Sequence, residues 1–198
     1  MKSNVVSTTA RAIFMMAAAI TAVVRCACGE EITWGGASGR WSDSSKWVGG
    51  KTPAKGDAVI FPASGECVVE IDDNTPALSS LTLSSGTAAD RVTFVGDVSH
   101  RLYVTGEGYA FVVGENRKMA IAGCLLELGV QNTTSHMDVG PGARLDVDSG
   151  KLYVRNGGIL VNTNAMLNVH GGILQYNGAA QYLKLAKNST VNLASGKI

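Results

Sequence analysis

Seven apolar pairs near the end of this chain recur at nearly fixed intervals. Leu145, Leu152, Ile159, Leu167, Leu174, Leu183 and Val191 each begin a pair of the form apolar-x-apolar, at steps of 7, 7, 8, 7, 9 and 8 residues. Every third start is 22 to 24 residues from the last: Leu145 to Leu167, Leu152 to Leu174, Ile159 to Leu183, Leu167 to Val191. The two-residue period turns one side of each segment into a core and the other to water. The longer fixed period is the pattern of a solenoid, whose repeats bury their apolar side only by stacking on one another. Three short strands per repeat predict a triangular coil. Each coil then hydrogen-bonds to the next through parallel strands, with aliphatic side chains in ladders and Gly or Asn at the corners.

The same inward pairs run back along the chain as Val69/Ile71, Leu81/Leu83, Val92/Phe94, Leu102/Val104, Phe111/Val113, Met119/Ile121, Leu126/Leu128 and Met137/Val139. They continue forward through Leu145/Val147, Leu152/Val154, Ile159/Val161, Leu167/Val169, Leu174/Tyr176, Leu183/Leu185 and Val191/Leu193. A repeat of about 23 residues predicts five or six coils over residues 67–198. The chain is therefore expected to be all-β, with a β-helix as the architecture. The competing architecture is an antiparallel β-sandwich, whose strands recur every 8–12 residues. The steps of 7 and 8 at the end leave too few residues per corner for it, and favour coils.

The start of the chain has a different character. Lys2 and Arg11 precede residues 12–24, which are apolar apart from one Thr. A charged segment followed by an apolar stretch of this length predicts a secretory signal over residues 1–28. The stretch falls short of the ~20 apolar residues that span a bilayer. Acylation at Cys28, as in a lipoprotein, is an alternative that Arg25 disfavours. No later segment reaches membrane-spanning length. Without the signal the chain carries 14 basic against 16 acidic residues, a balance that offers nucleic acid no electrostatic attraction.

Residues 29–66 form a Trp/Gly-rich region that holds all three tryptophans, Trp34, Trp41 and Trp47. The block Thr33-Trp-Gly-Gly-x-x-Gly-x-Trp-Ser-Asp-x-x-x-Trp47, then Gly49-Gly-x-x-Pro53 and Gly56-Asp-x-x-x-Phe61, resembles the opening of bacterial secreted proteins with autotransporter-associated β-strand repeats. The segments Gly157-Gly-Ile-Leu160 and Asn164-Ala-Met-Leu-Asn-Val-His-Gly-Gly172 are similar to the repeats themselves. The stretch from Trp41 to Leu83 also resembles the G8 domain of some extracellular proteins. These resemblances imply a right-handed parallel β-helix, with residues 29–66 as its N-terminal cap and 67–198 as its repeats. They also imply an exported protein, extracellular or at the cell surface, and outer-membrane-associated or periplasmic in a Gram-negative cell. The repeats stop in mid-pattern at Ser195-Gly-Lys-Ile198, without a translocator barrel, so the repeat region is expected to be truncated.

Candidate chemistry is sparse. Trp34, Trp41 and Trp47 admit two readings: a platform on which sugar rings stack, or an apolar lid over the first coil. Asp146 and Asp148 share an outward strand side with Arg144, and read as a solvated charged face. Asp72-Asp73-Asn74 resembles an acidic turn of the kind that can bind calcium. His100, His136 and His170 are scattered, without partners at metal-ligand spacing. Cys67 and Cys124 are candidates for a disulfide, which export permits; two buried free thiols are the other reading. No phosphate loop, dinucleotide fingerprint or nucleophile elbow occurs, so no metal or cofactor is expected. The expected function is a secreted or cell-surface structural module of adhesin type, without catalysis of its own. Its partners would be extracellular glycans or other surface proteins. The alternative is a carbohydrate-binding or polysaccharide-degrading β-helix protein, or a fragment of one.

Overall fold

The computed structural model describes residues 29–178 and 181–197. The expected export signal and the acylation option at Cys28 lie outside the described residues. Within them the chain winds into a parallel β-solenoid of about six turns. Every pairing between its strands is parallel. This excludes the antiparallel sandwich.

The coil has three sides. The first is built from Glu31–Thr33, Ala58–Phe61, Ser80–Leu83, Gly108–Val113, Ser135–Val139, Gly158–Val161 and Tyr182–Leu185, stacked in that order. The second stacks Gly39–Arg40, Glu66–Ile71, Arg91–Gly96, the first half of Lys118–Leu128, the first half of Arg144–Val154, Met166–His170 and Thr190–Ala194. The third comprises Arg101–Val104, the second halves of Lys118–Leu128 and Arg144–Val154, and Ile173–Tyr176. Those two long strands turn the corner between sides at Gly123 and Gly150, with φ of 94° and 85°. Only glycine takes such angles without strain.

The repeat read from the sequence is the register. Leu145 pairs with Leu167, Leu152 with Leu174, Ile159 with Leu183, and Leu167 with Val191. Every inward pair from Val69/Ile71 to Leu167/Val169 is buried. Each such side chain withdrawn from water contributes about 1.5–3 kcal/mol, and the ladders thus supply the core. Burial fades in the last described coil, where Leu183 and Val191 are half-buried while Leu185 and Leu193 are exposed.

The solenoid starts inside the segment read as a separate cap. Glu31–Thr33 pairs in parallel with Ala58–Phe61, which pairs with Ser80–Leu83. Between the first two strands the tryptophans fold inward. Trp34 and Trp41 both pack edge-on against Trp47 at 4.8 Å between ring centres. Beneath them lie Phe61, 5.6 Å from Trp34, and Phe94, 5.3 Å from Phe61. The indole N–H of Trp34 donates to the Ala37 carbonyl, and that of Trp47 to the Trp41 carbonyl. The exposures of Trp34, Trp41 and Trp47 are 1%, 5% and 3%. This corrects the sugar-platform reading of these residues: rings buried this deeply cannot receive a pyranose.

The disulfide option is corrected too. Cys67 and Cys124 are buried free thiols. Cys67 pairs with Val92, and the strand of Val92 pairs in turn with the strand holding Cys124. Two inter-strand steps of ~4.8 Å exceed the ~7 Å limit between bonded Cα atoms. Burial pushes both thiols up, that of Cys124 to about 12. Among the described residues no helix is long and apolar enough to cross a membrane.

Candidate functional site

With the interior filled by ladders, chemistry is confined to side chains that point outward. The alternation that buries one residue exposes the next, and stacking brings outward residues from successive coils into rows.

On the second side, one row runs from Thr93 through Ala120, Asp146 and Asn168 to Asn192. Asp146 was read as solvated; it is 2% exposed. Arg144 donates from Nε to both of its carboxylate oxygens, at 2.7 and 2.9 Å. The Asn168 amide donates to it at 2.6 Å, and Asn192 donates to Asn168 at 2.8 Å. Arg91 sits two coils away and reaches within 3.9 Å of Asp146 and 3.5 Å of Asp148. The intervening positions are Ala120 and Ala122, whose small side chains leave that path open. His170 Nδ1 lies 3.6 Å from Asp148. Asp146, Asp148 and His170 thus converge, each offering a ligand atom within 4.8 Å of the others. A cation is already supplied there by Arg91 and Arg144, so the group is an ion-pair network whose members come from three coils and span four. The sequence placed Asp146, Asp148 and Arg144 on one face; it read His170 as isolated, where the structure seats it beside Asp148, and it did not reveal Arg91, which is 55 residues from Asp146.

The acidic turn is likewise consumed locally. The Asp72 carboxylate accepts from the Ser42 backbone, Asp73 accepts from Asn74 N–H, and Asn74 Oδ1 accepts from Arg101 N–H.

The third side carries a second buried carboxylate, which the sequence did not single out. Glu127 is 2% exposed, in a row between Tyr103 and Tyr153. Arg101 Nη1 donates to one of its oxygens at 2.9 Å. Arg155 grips the other from Nε at 2.7 Å and Nη2 at 2.6 Å. Arg101 also lies over the ring of Tyr103 at 4.0 Å.

The corner between the third and first sides holds the most accessible rings. Tyr109, 52% exposed, packs 5.6 Å from His136, which packs 5.2 Å from Tyr182, 37% exposed. The three rings come from different coils and follow the solenoid axis. Two features align them. The register slips between Ser135 and Met137, which brings His136 beside Tyr109. In the next coil the stacked position is Gly158, and Tyr182 lies across it toward His136. Gly158 N–H donates to His136 Nδ1 at 3.0 Å, which leaves the ring proton of the neutral imidazole on Nε2. The loop of residues 129–134 runs beside the strip, with Gln131, Asn132 and Thr134 exposed. On one flank a cavity of about 330 Å³ is lined by Glu107, Asn132, Thr134 and His136. On the other flank a cavity of about 310 Å³ is lined by Gln131, Arg155, Asn177 and Gly178. This strip was not legible in the sequence, because its rings are 27 and 46 residues apart and the alignment depends on a glycine between them.

Comparison of the chain with models of protein families, with characterised proteins and with solved structures finds no match.

Proposed function

We propose that this chain is an exported, non-catalytic β-solenoid module that adheres to extracellular glycans through the strip Tyr109–His136–Tyr182. One observation carries this reading: three rings from three coils pack in succession, with both tyrosines open to solvent. Rings that are rigid, apolar on their faces and polar at their tips suit the alternating apolar and hydroxylated surfaces of sugars. A stiff coil that repeats such contacts holds an extended ligand without ordering flexible parts, which keeps the entropic cost of binding low. The flanking polar cavities, lined by amide, hydroxyl and carboxylate groups, add the hydrogen bonds that orient a sugar. Export itself rests on the basic and apolar opening of the sequence.

The test is a glycan array probed with the intact protein and with the Tyr109→Ala/Tyr182→Ala double variant. Both side chains are solvent-facing, so the β-spectrum and melting temperature should survive. Loss of glycan binding with the fold retained supports the reading. Absence of glycan binding by the unaltered protein, or unchanged binding by the variant, overturns it.

A second reading, a polysaccharide-degrading enzyme, draws on the convergence of Asp146, Asp148 and His170. An assay for new reducing ends, with Asp148→Asn as control, separates the two. Turnover that this substitution abolishes would favour the enzyme.

A further inference from the structure

We propose that the cavity framed by Gln131, Arg155 and Asn177 is a subsite for a carboxylate-bearing sugar. This inference rests on the glycan-binding reading above and names the class of sugar.

The argument begins with Arg155. An exposed arginine is ordinarily a mobile cation, and fixing it for a ligand costs side-chain entropy. Here the fold has already fixed it. Nε and Nη2 both donate to Glu127 Oε1, at 2.7 and 2.6 Å. Glu127 is itself immobile, buried between Tyr103 and Tyr153 and held at its other oxygen by Arg101. Yet 41% of the Arg155 side chain remains accessible, and it lines a cavity of about 310 Å³. Among the described residues Arg155 Nη1 has no hydrogen-bond partner. A fixed guanidinium with an available N–H suits a carboxylate, because charge-assisted hydrogen bonds of this kind are about twice as strong as neutral ones.

The local charge has the right sign. Arg101, Lys151 and Arg155 crowd one side of the coil against the single carboxylate of Glu127. Lys151 lies over the ring of Tyr153 at 4.9 Å and Arg155 at 5.4 Å. This patch is positive on a chain whose segment after residue 28 is slightly acidic. A neutral sugar would gain nothing from it.

The remaining groups favour a sugar over a bare anion. Asn177 Nδ2 donates to the Tyr153 hydroxyl at 2.9 Å, which orients the amide. Gln131 supplies a second amide from the loop of residues 129–134, and the two come from different coils. Amides both donate and accept, as hydroxyl groups require and a bare phosphate does not. The volume lies at the small end of ligand cavities, about right for one sugar unit of a longer chain.

The test measures binding of three probes by calorimetry: a glucuronic-acid oligosaccharide, its methyl ester, and the glucose oligosaccharide of equal length. The expected result is that the acid binds about tenfold more tightly than the ester and the neutral chain. Arg155→Gln should abolish that preference, bringing the acid down to the affinity of the ester. Because Arg155→Gln also loosens Glu127, Asn177→Ala is the second variant. It leaves the ion pairs intact and should weaken the acid several-fold. Tyr109→Ala/Tyr182→Ala should weaken all three probes together. Equal affinity of the unaltered protein for acid and ester overturns the carboxylate subsite alone. Binding of none of the probes overturns the subsite and the glycan reading together.

Discussion

The ring of Tyr182 lies across Gly158, where a Cβ would come within 2.6–2.7 Å of three of its ring carbons. Gly158 has ordinary strand geometry, so the glycine is needed for the ring above it and not for its backbone. Gly158→Ala should therefore push Tyr182 off its seat and out of contact with His136. The stability cost should stay within about 1 kcal/mol, since alanine fits a strand as well as glycine and Tyr182 is partly solvated. Loss of the ring-current shift on the His136 proton signals, with little change in melting temperature, is the expected result. An unchanged His136 spectrum would show that the strip does not depend on this glycine.

The ladders predict a gradient of stability along the axis. Leu145 is fully buried, with Met119 stacked on one side and Leu167 on the other. Leu193, stacked after Val147 and Val169, holds an inward position in the last described coil and is 53% exposed. Leu145→Ala should cost about 2–5 kcal/mol in denaturant unfolding. Leu193→Ala should cost less than about 1 kcal/mol. Comparable losses from both would mean that something covers the last coil in solution.

Much of this architecture was legible before the structure, and the residues show why. The spacing of Leu145, Leu167 and Val191 is a repeat length, and in a solenoid repeat length is register. Inward burial followed from the same alternation. The cap was only half legible. The tryptophans announced a distinct region, yet Glu31–Thr33 and Ala58–Phe61 within it are ordinary coil strands, too short and too divided by loop to show a repeat. The outward rows were least legible. Periodicity says that Asp146 points outward, but not that Arg144 and Asn168, with Arg91 reaching over Ala120, gather around it. Likewise His136 sits between two rings only because a register slip and a glycine bring them together. Such contacts depend on what occupies the next coil at one position, which a repeat length does not specify.

Asp90 ties a corner together and makes stability depend on acid. Its carboxylate accepts from Gly65 N–H at 2.7 Å, and from the backbone and hydroxyl of Thr87 at 2.7 and 2.8 Å. These bonds, that from Gly65 foremost, hold its pKa down at about 2. A carboxylate whose folded pKa lies below its unfolded value stabilises the fold fully above the unfolded value of about 3.9. That contribution is lost as pH falls toward 2. The unaltered protein should therefore lose stability between about pH 4 and pH 2, and Asp90→Asn should lose less over that window. Melting temperatures of both at pH 2, 3, 4 and 7 check this. Parallel curves would remove Asp90 from the account.

The two buried thiols should be silent in the native state. Thiolate is the reactive form, and burial pushes Cys67 and Cys124 away from it, the latter to about 12. A thiol-specific reagent at pH 8 should label neither in the folded protein and both in denaturant. Labelling of Cys67 or Cys124 themselves in the native protein, at a rate near that of a free thiol, would mean that the coils open locally.

The Asp146–Asn168–Asn192 row supports a sharper test of the outward face. Asn168 is 1% exposed, and it donates to Asp146 while accepting from Asn192. Asn168→Asp keeps the shape but replaces the donor with a second carboxylate 2.6 Å from the first. Like charges at that distance cannot both ionise cheaply, so one of the pair must have a folded pKa above its unfolded value. A carboxyl group raised in this way is no burden while protonated and destabilises as pH rises. Asn168→Asp should therefore be close to the unaltered protein near pH 3 and less stable by about 1–3 kcal/mol at pH 7. Arg144 and Arg91 oppose this effect by supplying positive charge. If they suffice to hold two carboxylates, the variant will match the unaltered protein at both values. That outcome would mean that the arginines, and not the asparagine ladder, set the charge this face can carry.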